Sequence, residues 1–449
     1  MNEVLSITEA AEKLEAGELS PTELLDSCLE RIRQYDERVR AWVVVDEEAA
    51  QKAARQAEEE IARGRYRGPL HGIPLGIKDI IDVAGLPTEA GSPLRRGHVA
   101  ERDAPLVAAL RRAGAVILGK TVTVEFACFD PSPTRNPWDP SLGHSPGGSS
   151  SGSAAAVAMG MCLGAIGTQT GGSLVRPASY CGVAACKPTY GRVDTEGVIP
   201  VSWHLDHAGP MARRVGDLAA LLEVLPPGKD FSPPLPAQIP EKRFGPSHPP
   251  RLALVEELFA EGTDEAVRDA TQAGLARLLA GGATVEPVRL PEGFDRINEL
   301  HSQIMAVDAA EYHRDQFAAH RDQYGPLITQ LLDQGLGTRA VDYAAALAHQ
   351  RRFRCRIDQW FGPFDAMLMP ATDTTAPATL DTTGPKHFQA PWSYLGVPVV
   401  SLPCAIAYDG MPAAVQLVQR YHHDKLLLDV ARWCETQFAF DRRPPLLLE

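Results

Sequence analysis

The chain has 449 residues, 44% of them hydrophobic and 22% charged, with a formal net charge of −13. That length and apolar content suffice for a large buried core, while the acidic balance argues against a broad basic surface for nucleic acid or an anionic membrane. The eight cysteines are scattered, mostly among apolar neighbours and without a C-x-x-C pair, which reads as buried reduced thiols in a cytoplasmic protein rather than a disulfide or zinc framework. Met1 to Leu14 carries acidic side chains and no long apolar run, so neither a signal peptide nor a transmembrane span is expected.

Strand and helix signals then alternate along the chain. Ser20-Pro21-Thr22-Glu23 reads as a capping box with proline in the first turn, and Leu24, Leu25, Cys28 and Ile32 recur on one helical face. Ala41 to Val45 predicts a short strand and Asp46 to Arg63 a helix. Between Gly68 and Asp79, turn residues surround a short apolar strand that ends in Lys78. Asp103 to Arg112 is helical in pattern, Ala115 to Leu118 is a buried strand, and Ser153 to Leu163 is a helix of small residues. Proline-rich Pro226 to Pro250 reads as an exposed connection. Beyond it come a strand at Leu252 to Val255, a helix at Thr263 to Leu279 and a strand at Ala283 to Val288. Residues 293 to 360 are mainly helical, with charges and histidines on the outer faces. Short strands punctuated by proline and glycine fill Phe364 to Gln419, and Asp424 to Phe438 forms a closing helix. The alternation predicts an α/β fold on a parallel or mixed sheet.

Candidate chemistry is concentrated in two clusters, Gly147-Gly148-Ser149-Ser150-Ser151-Gly152 and Thr170-Gly171-Gly172-Ser173. Glycines leave backbone N–H groups uncovered and able to point at a ligand atom, and a serine becomes a nucleophile once a base is in reach. Two common motifs are set aside. Gly114 to Thr121 has phosphate-loop spacing, but its middle residues are the strand itself, whereas a phosphate loop follows its strand. Gly148 to Gly152 matches G-x-S-x-G, which would make Ser150 a nucleophile, yet a polar loop from Trp138 to Pro146 stands where that motif needs an apolar strand. The thirteen histidines form no metal-binding pattern; His313, His320, His422 and His423 read as surface residues, and His71 and His144 as structural neighbours of the site. The base is then a lysine or a carboxylate. Lys78, at the end of its apolar strand, can serve if burial leaves it neutral.

Three blocks carry a family resemblance: G-I-K-D around Lys78, G-G-S-S-S-G-S-A-A-A around Ser149, and G-T-Q-T-G-G-S-L-V-R-P-A-S-Y-C-G around Ser173. In order and spacing they resemble the amidase signature hydrolases. Asn136-Pro137-Trp138-Asp139, Leu205 to Met211, Gly396-Val397-Pro398 and Gly410 to Gln416 extend the likeness almost to the C-terminus, and it is weakest over 226–350. The resemblance implies a single domain over 1–449, with a large twisted mixed β-sheet covered by helices on both faces and 226–350 as a variable, mostly helical lid or substrate-shaping region. It also implies a triad of Ser173 as nucleophile, Ser149 as bridging serine on a cis Gly148–Ser149 peptide, and Lys78 as base. Backbone N–H groups of Thr170, Gly171, Gly172 and Ser173 would hold the oxyanion. Three positions depart from the commonest family pattern: Gln169 where aspartate is frequent, Arg176 three rather than two residues after the nucleophile, and Ser393 where asparagine is frequent. None removes a proton-transfer group.

The expected activity is hydrolysis of a carboxamide on a carbon–nitrogen bond other than a peptide bond, with aryl amides, esters or carbamates as further substrates. The alternative is the glutaminase subunit of a tRNA-dependent amidotransferase. Phe126, Phe129, Leu174 and Val175 suggest an apolar acyl pocket. The mechanism requires no metal or organic cofactor and no nucleic-acid or membrane partner, and it leaves a homodimer open.

Overall fold

Short strands rich in β-branched and small residues assemble into one mixed sheet in the computed structural model, which describes residues 4–229, 231, 248–260 and 262–448. The strands are β1 (Trp42–Val45), β2 (Pro74–Lys78), β3 (Val116–Thr121), β4 (Gly164–Gln169), β5 (Ala184–Lys187), β6 (His207–Ala212), β7 (Arg251–Val255), β8 (Thr284–Val288), β9 (Ala366–Pro370), β10 (Val399–Ile406) and β11 (Pro412–Val418). Their order is β1-β3-β2-β4-β6-β5-β10-β11-β9-β7-β8. Strand β2 runs parallel to both β3 and β4, so the carboxyl ends of these three lie together; β4 then meets β6 antiparallel. Every residue of β2, β3, β4 and β6 is buried, as expected where helices cover both faces of a sheet. The edge strand β8 is half-exposed and carries Glu286 and Pro287, residues that discourage pairing with another chain.

The expected helices form at Pro21–Val39, Glu47–Ala62, Pro105–Arg112, Glu265–Ala280 and Asp424–Phe438. In the first, Ser20 Oγ accepts from Glu23 N at 3.2 Å and Glu23 Oε2 accepts from Ser20 N at 2.9 Å, closing the capping box. A second box, between Ser6 and Glu9, starts an N-terminal helix at Ile7–Ala16 that lacked a long enough apolar pattern to be read. The small-residue helix is shorter than expected. It runs over Ser151–Ala158 and stops before Gly160, whose φ of +62° no helix accommodates, leaving Gly164–Gln169 free to become β4. Small residues are required here: a Cβ on Gly152 would stand 2.3 Å from Ala41 O and 2.4 Å from Val122 N. Most of the proline-rich connection, 230 and 232–247, lies outside the described residues.

Helices Ile297–His320, Pro326–Gly337 and Ala340–Ile357 fill the middle region as the pattern predicts. The histidines there are not all on outer faces. His301 and His313 are buried, because Ile297–His320 packs against both other helices and has little free surface. His313 Nδ1 meets Tyr324 OH at 3.1 Å, whereas His320 is exposed.

Candidate active site

The carboxyl ends of β2 and β4 bring the site together, the position at which α/β sheets commonly bind ligands. Lys78, the last residue of β2, is fully buried; its Nζ lies 2.6 Å from Ser149 Oγ and 2.8 Å from Thr168 Oγ1 on β4. Desolvation pushes its pKa down to about 7, opposed by the nearby Asp206 carboxylate. The neighbouring strand supplies the contrast. Lys120 on β3, equally buried, reaches Asp79 at 2.9 Å, Pro87 O at 2.8 Å and Thr88 Oγ1 at 3.0 Å. That ion pair accounts for the lysine of the phosphate-loop-like motif, which lies within β3.

The Gly148–Ser149 peptide is cis. Ser149 and Ser173 line the same narrow cavity. Their segments are joined by Ser150 N donating to Ser173 O at 3.3 Å, but their hydroxyls are not hydrogen-bonded to each other. Ser150, the alternative nucleophile, is buried with its Oγ between the N–H and carbonyl of Thr168, each at 3.2 Å.

Between β4 and the helix Val175–Cys181, the turn 170–173 is braced from behind. His301 Nε2 donates to Thr170 O at 2.9 Å, Ser393 Oγ donates to Gly171 O at 3.1 Å, and Arg176 N donates to Gly172 O at 2.9 Å. Because each peptide is planar, tying off these carbonyls turns the N–H groups of Gly171, Gly172 and Ser173 the other way. Among the described residues those three N–H groups have no protein acceptor. Gln169 completes the brace: its Oε1 accepts from Leu174 N and Val175 N, both at 3.0 Å, and its Nε2 donates to Ser393 Oγ at 3.1 Å. Two of the three departures noted in the sequence, Gln169 and Ser393, therefore touch each other. Burial lowers the His301 pKa to about 3, so the ring is neutral. Asp206 accepts from Thr170 Oγ1 at 2.6 Å, and burial raises its own pKa to about 6.

Of the four apolar residues expected at an acyl pocket, Phe129 lines the cavity. Phe126, Leu174 and Val175 do not; all three are core residues. Phe126 meets the His313 ring edge to face and stacks on Tyr324, with ring centroids at 4.5 and 5.8 Å. Leu174 covers the space over Gly167 and Gly209, where the sheet has no side chains of its own. Met305, Thr383 and Lys386 line the cavity instead, from segments remote in sequence that no motif marks. His71 and His144 stand apart from it: His71 Nε2 lies 3.3 Å from Glu60 Oε2, and His144 Nδ1 is hydrogen-bonded to Asp139 Oδ2 at 2.7 Å. A larger cleft, lined by Tyr190, Trp203 and Phe231 among others, includes Asp206 but neither serine nor lysine of the three blocks.

The sequence profile of the family described as Amidase matches residues 23–428. This chain belongs to that family. A putative amidase, AmiD, of Mycobacterium tuberculosis is 34% identical over 98% of this chain and 96% of its own length. A glutamyl-tRNA(Gln) amidotransferase subunit of Chloroflexus aggregans is 35% identical over 95% of each chain. Among solved structures, native peptide amidase from Stenotrophomonas maltophilia superposes with a TM-score of 0.83 at 31% identity, covering 98% of both chains. Amidase-family likeness thus spans the middle helices as well as the three blocks. Among the described residues, no helix of this amidase-family hydrolase is long and apolar enough to cross a membrane, and no group of histidine, cysteine and carboxylate side chains could hold a metal.

Proposed function

We propose that the chain hydrolyses a carboxamide through a serine acyl-enzyme. Ser173 attacks the carbonyl; its proton passes to Ser149 Oγ as Ser149 gives its own to neutral Lys78. The tetrahedral oxyanion is held by N–H groups of the 170–173 turn, where one such donor contributes about 3 kcal/mol in the transition state. Reversal of the relay protonates the leaving nitrogen, and water then releases the acid by the same route. The observation that carries this reading is the bond of 2.6 Å from Lys78 Nζ to Ser149 Oγ, made by a lysine with no carboxylate partner among the described residues, beside a turn of unpaired N–H groups. Rotation of the Ser149 or Ser173 hydroxyl on substrate binding would close the relay, since such contacts are often loose before substrate arrives.

Aryl amides, esters and carbamates use the same steps and are further candidate substrates. The region 226–350 serves as a substrate-shaping cover, since the helix Ile297–His320 contributes Met305 to the cavity wall. A glutaminase subunit is the second reading, favoured by the amidotransferase relative. Hydrolysis of a panel of amides, esters and carbamates by the purified chain tests the first reading. Ser173→Ala is expected to lower kcat on the order of 10⁴-fold or more. Equal turnover by the variant refutes the role of Ser173, and glutaminase activity that appears only with a partner chain favours the second reading.

A further inference from the structure

The cavity wall includes two cations, Arg176 and Lys386, and no aspartate or glutamate. These cations are differently occupied. The Arg176 guanidinium donates to Gly384 O at 2.7 Å, Pro385 O at 3.1 Å, Gly148 O at 2.8 Å and Thr383 Oγ1 at 3.1 Å. Those bonds tie the 383–386 loop to the peptide before Ser149 and so determine where Lys386 stands. Lys386 Nζ makes one hydrogen bond, to Ser302 Oγ at 3.1 Å, and lies 5.2 Å from the centre of the Phe129 ring. Its stem runs along the nucleophile turn: a Cβ on Gly171 would stand 3.0 Å from Lys386 Cδ. Burial and the Arg176 charge lower its pKa to about 8, so it remains mostly protonated at neutral pH.

An ammonium has three N–H donors, and among the described residues Lys386 has no carboxylate to balance its charge. Lys120, by contrast, has Asp79. Leaving a cation unpaired in a confined cavity is costly unless a ligand supplies the counter-charge. Ser302 Oγ, which accepts from Lys386, gives its own proton to Asn298 O at 2.9 Å, so the ammonium keeps two N–H donors of its own for the oxygens of a carboxylate.

We infer that Lys386 selects the substrate by receiving a carboxylate carried a few atoms from the scissile carbonyl, so that the preferred substrate is the monoamide of a short dicarboxylic acid. This rests on Ser173 being the nucleophile of an amide hydrolase. The full-length chain is treated with a serine-directed sulfonyl fluoride, and labelling of Ser173 is followed in the presence of succinate or the neutral succinamide. Succinate is expected to protect at a concentration at least about tenfold lower than succinamide, in line with a charge-assisted hydrogen bond. Lys386→Met should remove the difference and Lys386→Arg restore part of it. In parallel, the ratio of kcat/KM for succinamate over butyramide should exceed about tenfold in the wild type and collapse in Lys386→Met, mainly through KM. Equal protection by the two compounds, or an unchanged ratio in Lys386→Met, overturns the assignment. If Ser173 is labelled and neutral amides are cleaved as well as succinamate, the hydrolase reading stands and the role of Lys386 falls. If Ser173 is not labelled and no amide is cleaved, both fall.

Discussion

Lys78 and Lys120 stand on adjacent parallel strands, both fully buried, yet one faces hydroxyls and the other a carboxylate. Counter-charge therefore separates a candidate base from a structural cation more sharply than burial does. With its pKa near 7, Lys78 gains neutral population as pH rises, so kcat/KM should climb through about pH 7 and level off above it. Asp206 raises that pKa by favouring the ammonium. Replacing it in Asp206→Asn is accordingly expected to move the ascending limb to lower pH; a limb that stays in place in a pH–rate profile would detach it from Lys78.

At the scale of elements, the turn between β4 and Val175–Cys181 works as a braced loop. Gln169 and Ser393 stand where aspartate and asparagine are the frequent residues, and the two changes offset each other in length: glutamine adds a methylene on one side where serine is short on the other. Gln169→Asp and Ser393→Asn should each lower kcat/KM about tenfold, while the double variant recovers much of the loss. A coupling energy of about 1 kcal/mol or more in the double-mutant cycle is expected, and strict additivity would show that the contact at 3.1 Å carries no function.

Much of this was legible in the chain. The Ser20 capping box, the helical and β-branched runs and the three glycine-serine-lysine blocks announced the flanking helices, strands β1 to β3 and the residues of the proposed triad. Strands β4 and β6 were missed because G-A-I-G-T-Q and H-A-G-P-M-A are buried on both faces and show no alternation. Thr168 lies inside the third block without a role read for it, whereas His301 and Lys386 were missed for a different reason. Both reach the site by tertiary packing, and a lone histidine or lysine leaves no periodic trace. The apolar residues next to Ser173 misled in the opposite sense, since Leu174 and Val175 turn into the core as their helix begins.

For the whole molecule, a single sheet links the parallel strands that carry Lys78 and Thr168 to the distant β10 and β11, while the residues of the candidate site and its brace come from between Lys78 and Ser393. Around it the protein bears a net charge of −13. An acid-free cavity inside so acidic a body has a kinetic consequence. A carboxylated amide is repelled on approach and attracted only at short range, where intervening salt has little effect. Raising ionic strength from about 0.01 to 0.15 M shortens the Debye length from about 30 to 8 Å, which screens the outer field and spares the inner contact. If encounter limits kcat/KM, raising salt over that range should accelerate turnover of an anionic amide such as succinamate and leave a neutral amide unaffected.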